Sequence, residues 1–136
     1  MKLPITGGCL CGMVRYEISA QPLRTANCYC RTCQKSSGAP YLAILIVPEA
    51  AFTVSGAYKE FITIAASGNK MHRAFCPECG TSLFVRNSGF PQIRPISAVT
   101  LDDPSIYKPE KDIWVSDAQP WVVMDPNLPK FEGNPF

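Results

Sequence analysis

Seven cysteines dominate the chemistry available to this 136-residue chain, and they stand in three clusters: Cys9-Leu10-Cys11, Cys28-Tyr29-Cys30-Arg31-Thr32-Cys33 and Cys76-Pro77-Glu78-Cys79-Gly80. Sixteen residues separate the first two clusters and 42 the last two. An odd number of thiols cannot all pair within one chain. A disulfide across Cys-x-Cys is strained, whereas two thiolates on one tight turn can point at a single ion. The pattern therefore predicts metal ligation. In the last cluster Pro77 fixes one φ angle and Gly80 allows the reversal that turns backbone amides toward sulfur, as in zinc ribbons. Structural zinc takes four ligands, so Cys76 and Cys79 need two more. Either Cys9 with Cys11 or a pair from 28–33 can supply them, and either choice leaves three thiols over. If the first and last clusters close one site, the middle cluster keeps three thiolates on six residues, enough to hold zinc with its fourth position open, as catalytic zinc has it. The lone histidine, His72, reads as a surface or packing residue. It is left out of the site.

Charge near the middle cluster bears on what it could bind. Zinc with three thiolates sums to one negative charge, which Arg31 and Lys35 can offset. The same two cations could hold a carboxylate. The whole chain carries a net charge of +2. Residues 1–101 hold ten Lys/Arg against four acids, and 102–136 hold three against seven, so the two parts attract. The basic residues are scattered singly, without a run or an RNA-reading aromatic motif, and no nucleic-acid partner is expected.

The elements that position these clusters read as strands. Residues 13–18 alternate apolar and polar, and 41–47 is a short apolar run of the kind a buried strand shows. Further strands are expected over 58–64, 70–75, 81–86 and 93–100, with Ser67-Gly68-Asn69 as a turn. Eight of the 13 prolines fall in 91–136, which predicts loops, short strands and one helical turn at Pro104 to Tyr107. No long helix is expected. With 46% hydrophobic and 18% charged residues the chain reads as one globular domain over 1–136, not a disordered tail, coiled coil or fibre. A longest apolar run of seven residues and the absence of an apolar signal region at Met1-Lys2-Leu3-Pro4-Ile5 predict no membrane association and a cytoplasmic location. There reduced cysteines are the rule. Exposed strand edges are compatible with a homodimer.

Four ordered blocks resemble one known family. They are Gly7-Gly8-Cys9-Leu10-Cys11-Gly12 with Val14-Arg15-Tyr16; Cys28, Cys30, Cys33 and Lys35 with Gly38-Ala39; Phe75-Cys76, Cys79-Gly80-Thr81 and Leu83; and Pro120-Trp121 with Leu128-Pro129 and Phe131. Together they are similar to the glutathione-dependent formaldehyde-activating (GFA) family, which includes centromere-protein-V-like proteins, over about residues 7–131. The resemblance implies a mainly β, zinc-stabilised antiparallel β-tent with short helical turns only. It also implies a structural zinc on Cys9, Cys11, Cys76 and Cys79 and a second zinc on Cys28, Cys30 and Cys33, two per chain. The activity it implies joins glutathione and formaldehyde, formally a carbon-sulfur lyase in reverse. Tyr29 and Gln34 depart from the family pattern, standing where His and Arg are frequent.

In that reading the metal at Cys28, Cys30 and Cys33, the catalytic cluster, lowers the pKa of a small thiol and presents it to an aldehyde carbon. Lys35 and Arg31 are the candidates for substrate carboxylates, Ser36 and Ser37 for hydrogen-bond donors, and Trp121 for a roof. Two alternatives belong to other classes: a zinc-stabilised protein-interaction module with both sites structural, and a redox or persulfide-handling thiol site on the middle cluster. A saturated fourth ligand such as His72 favours the module. An open cleft beside Lys35 favours catalysis.

Overall fold

A computed structural model describes residues 1–136. Its strands are β1 (Ile5–Gly8), β2 (Arg15–Ile18), β3 (Arg24–Cys28), β4 (Leu42–Pro48), β5 (Phe52–Ser55), β6 (Lys59–Ile64), β7 (Lys70–Phe75), β8 (Ser82–Asn87), β9 (Ile93–Ser97) and β10 (Asp112–Ile113), with one helix, α1 (Arg31–Ser37). They form a three-stranded sheet, β1-β2-β5, and a seven-stranded sheet, β10-β3-β4-β9-β8-β7-β6. All pairings are antiparallel except β10 on β3. The protein is mainly β, as the sequence predicts.

The apolar run at 41–47 becomes β4, an inner strand whose Leu45 and Val47 are fully buried. They meet Val14, just before β2, and Tyr16 and Ile18 of the small sheet, together with Leu83, Phe84 and Ile96, in the main core. Cys9 and Cys76 belong to that core. A smaller satellite core gathers Ala26, Cys28, Cys33 and Ile113, with Cys30 and Trp114 packed against it. The cysteine clusters are thus divided between two cores before any metal is considered.

Several elements lie outside the sequence reading. The strand expected over 93–100 stops at Ser97, and residues 98–100 form a 3-10 turn. The turn expected at Pro104 is present as Pro104–Ile106, capped by the Asp103 carboxylate on the Ser105 amide at 3.2 Å. The helical content includes one element beyond isolated turns, the seven-residue α1. It has no apolar stripe. Its N-cap is Cys30, whose sulfur accepts from the Cys33 amide at 3.2 Å, and Gly38 ends it at φ 68° with its amide on the Gln34 carbonyl at 2.9 Å.

Strand β3 carries Thr25 and Asn27 inward rather than outward. The late, acidic segment covers them. Thr25 donates to the Lys108 carbonyl at 2.7 Å, and the Tyr107 hydroxyl donates to the Asn27 side-chain oxygen at 2.8 Å. Asn27 donates to Asp112 at 3.1 Å, and Asp112, 1% exposed, is closed by the Lys130 ammonium at 2.9 Å. No helix is long and apolar enough to cross a membrane.

Candidate metal and substrate site

The first and last cysteine clusters meet. The sulfurs of Cys9, Cys11, Cys76 and Cys79 lie within 4.8 Å of one another, with Cys9 to Cys11 at 3.6 Å and Cys11 to Cys76 at 3.7 Å. A disulfide would need about 2.05 Å. Metal-sulfur bonds of about 2.3 Å put the edge of a tetrahedron at about 3.8 Å, so the spacing fits zinc. Two similar turns build the set. In one, Cys9 receives the Val14 amide on its sulfur at 3.2 Å; in the other, the Gly80 amide reaches the Cys76 carbonyl at 2.8 Å. Thr81 joins them, accepting the Leu10 amide at 3.1 Å while its hydroxyl lies 3.2 Å from the Cys79 sulfur. That hydroxyl, with the Thr81 and Cys11 amides, holds the Cys79 thiol down at about 5, so it is ready to ligate as thiolate.

The middle cluster converges separately. Cys28 ends β3, Cys30 caps α1 and Cys33 lies in its first turn, and their three sulfurs fall within 4.8 Å of one another. No fourth Cys, His, Asp or Glu atom joins them. His72 lies elsewhere, against Arg86 at 3.2 Å and Glu60 at 3.9 Å. The Cys30 thiol is pushed down to about 3, first by Cys28, then by Cys33, with the Cys33 amide and the Arg73 charge adding. Cys28 is pushed up by Cys30, then by Cys33, and by burial. A trio that shares its protons this way suits a divalent cation that replaces them.

Beside the cluster, α1 and the β6–β7 hairpin enclose an open cleft of about 470 Å³. Arg31, Lys35 and Ser36 reach it from the helix, and Phe61, Thr63 and Arg73 from the hairpin. It contains three cations and no acid. Ser36 is held by the Cys33 carbonyl at 3.3 Å and accepts from Arg73 at 3.4 Å. Ser37 is not brought into the cleft. Its hydroxyl donates to the Gln34 carbonyl at 3.4 Å and accepts the Ala39 amide at 3.2 Å, bracing the helix end. Trp121, 68% exposed, lines a second cleft of about 400 Å³ with Arg31, Gln34, Pro40 and Gln119.

The two departures from the family pattern have structural work. Gln34 is 5% exposed and makes four bonds. It donates to the Tyr29 carbonyl at 2.6 Å and the Asp117 carbonyl at 2.9 Å, and it accepts from Gln119 at 3.0 Å and Arg31 at 3.2 Å. Tyr29 is buried and stacks on Tyr41 with ring centroids 5.1 Å apart. Sequence reasoning missed Arg73, Thr63 and Phe61. Their one signal is the β6–β7 register, in which Phe61 faces Arg73, but nothing in the sequence says that this hairpin lies over α1.

Comparison with known proteins places the chain in a family. A family model described as glutathione-dependent formaldehyde-activating enzyme matches residues 4–117. A protein of Halomonas elongata that is named, provisionally, a glutathione-dependent formaldehyde-activating enzyme is 29% identical over 129 residues, covering 89% of this chain and 81% of that protein. A crystal structure of a Rhodobacter sphaeroides protein has the same fold, with a TM-score of 0.56 at 16% identity, covering 93% of this chain and 98% of the other.

Proposed function

The chain belongs to the glutathione-dependent formaldehyde-activating family, and from that premise we propose that it adds a small thiol of the glutathione kind to an aldehyde such as formaldehyde. The observation that carries this reading is a set of three sulfurs without a fourth protein ligand, next to a cleft with three cations and no acid. In this reading Cys9, Cys11, Cys76 and Cys79 hold a structural zinc, and Cys28, Cys30 and Cys33 a second. Zinc on three thiolates, with a fourth position to exchange, supplies a Lewis acid that favours the thiolate form of an incoming thiol.

The chain's own residues bind and orient. Arg31 and Lys35 neutralise a substrate carboxylate at the mouth of the cleft, and Ser36 offers a hydroxyl whose position is fixed by Cys33 and Arg73. Gln34 keeps the first turn of α1, and so Arg31, in place. Ser37 serves the helix end. In the reaction the substrate sulfur bonds to the carbonyl carbon and the carbon-oxygen π pair moves to oxygen. That oxygen takes up a proton in exchange for the one the thiol lost. The product is an S-hydroxymethyl thioether alcohol, the reverse of a carbon-sulfur lyase step, with no change of oxidation state.

Carbon-13 NMR of labelled formaldehyde mixed with glutathione reads the adduct directly. Zinc-loaded protein is expected to speed its formation above the uncatalysed rate, and Lys35→Ala to raise KM for glutathione about tenfold with little change in kcat. Fully zinc-loaded protein that leaves the uncatalysed rate unchanged would defeat the proposal.

A further inference from the structure

Arg24 lies over the Phe136 ring, and three of the six arginines pair with a carboxylate, Arg15 with Asp102, Arg86 with Glu60 and Arg94 with Glu49. Arg73 does not. It projects from β7 into the cleft over α1, where its Nε donates to the Thr63 hydroxyl at 3.1 Å and one Nη to the Ser36 hydroxyl at 3.4 Å. Two neutral oxygens thus fix the plane of the guanidinium without neutralising it, and the remaining N–H groups of its fork meet no protein acceptor. The side chains of Arg31 and Lys35 are likewise without a carboxylate partner, while the Arg31 amide donates to the Asp117 carboxylate at 3.2 Å. A fixed, unpaired guanidinium beside two further cations is matched by a planar anion, and a carboxylate takes it with two parallel bonds. Phe61, exposed on the same wall, offers an apolar surface to the carbon chain next to that carboxylate.

We propose that Arg73 is the specificity-determining residue of the cleft, binding a carboxylate of the thiol substrate in one orientation from the side of the fold opposite α1. Thr63 and Ser36 act as its positioning residues. The inference rests on the proposed function for the identity of the substrate as a thiol. It goes beyond it in assigning selection between thiols to a hairpin residue that carries no cysteine and no family motif. A carboxylated thiol is held at both ends of the cleft, by Arg73 on one wall and Arg31 and Lys35 on the other. A neutral thiol gains nothing from that wall.

Calorimetric titration of the zinc-loaded protein with S-methylglutathione tests the binding alone, because this probe keeps the carboxylates and lacks the thiol. Wild-type protein should bind it, Arg73→Gln should weaken binding at least tenfold, and Arg73→Lys should fall between them, because it keeps the charge and loses the fork. In turnover, Arg73→Gln should lower kcat/KM for glutathione by a factor at least five times larger than that for 2-mercaptoethanol. Zinc content and melting temperature should match wild type. Equal binding by wild type and Arg73→Gln, absence of S-methylglutathione binding in wild type, or equal losses with both thiols would each overturn the assignment. If Arg73→Gln does not fold, Thr63→Val, which frees Nε, decides: threefold weaker binding supports the assignment and unchanged binding overturns it. Arg73-dependent binding of S-methylglutathione in a protein that turns over no thiol would leave the carboxylate site standing and defeat the proposed reaction instead.

Discussion

Cys30 has two roles that substitution can separate: its sulfur belongs to the three-thiol set, and it also caps α1 through the Cys33 amide. Cys30→Ala and Cys30→Ser should each lose one zinc equivalent while the fold survives. Serine still offers an oxygen to the cap, so the alanine variant should be the less stable of the two by about 1 kcal/mol, read from denaturant midpoints. Equal midpoints would remove the capping role. Gln34 is the residue on which α1 and the 117–119 segment both hang. Gln34→Ala strands the Gln119 amide and two carbonyls, and should cost about 2 kcal/mol by the same measurement. The cysteines and the cations at 31 and 35 are legible in the sequence because their chemistry lies in residue type and short spacing. Arg73 is not, because its role depends on a hairpin laid over a helix from which it is separated by 35 residues or more.

At the scale of elements, the strands that were legible are those with period-two or continuous apolar character, such as β2 and β4, or those flanking a turn signal, such as β6 and β7. The others owe their existence to partners distant in the chain. Strand β3, Arg-Thr-Ala-Asn-Cys, has neither pattern, and Tyr107, Lys108 and Asp112 satisfy its inward Thr25 and Asn27. Strand β10 is two residues long, and β1 and β5 are four each, too short for a periodicity to register. Helix α1 lacks an apolar stripe and is defined by its ends, a sulfur cap and a left-handed glycine. That glycine gives a clean test. A Cβ at Gly38 would meet nothing within 4 Å, so Gly38→Ala isolates the backbone strain of φ 68°. The expected loss is about 1 kcal/mol, and a larger loss would mean that α1 depends on more than its caps.

Over the whole molecule, the two thiol sets sit in different cores, and this predicts different consequences for losing them. Cys9 and Cys76 are part of the core that joins the two sheets, so Cys76→Ala should unfold the chain or remove its cooperative melt, because structural metal binding is folding energy. A Cys76→Ala protein with unchanged melting temperature would refute that role. The middle set sits in the satellite core under the acidic late segment, which is clasped to β3 by the β10 pairing and by the Asn27–Asp112 and Thr25–Lys108 hydrogen bonds. The sequence shows the opposite charges of the two parts; in the structure one ion pair, Arg15 with Asp102, joins them, and hydrogen bonds around β3 hold the late segment. The four-plus-three division of the thiols, which spacing alone leaves open, follows from this layout.

The central claim is that the Cys28, Cys30 and Cys33 set is a separate, reactive metal site rather than a second staple. Zinc per chain measured by elemental analysis on wild type and Cys30→Ala, with the glutathione-formaldehyde adduct rate measured on the same samples, tests it most directly. Two zincs in wild type, one in Cys30→Ala, a folded variant and adduct formation above the uncatalysed rate in wild type alone are expected. Equal rates in the two proteins, or a Cys30→Ala chain that no longer folds, would contradict it.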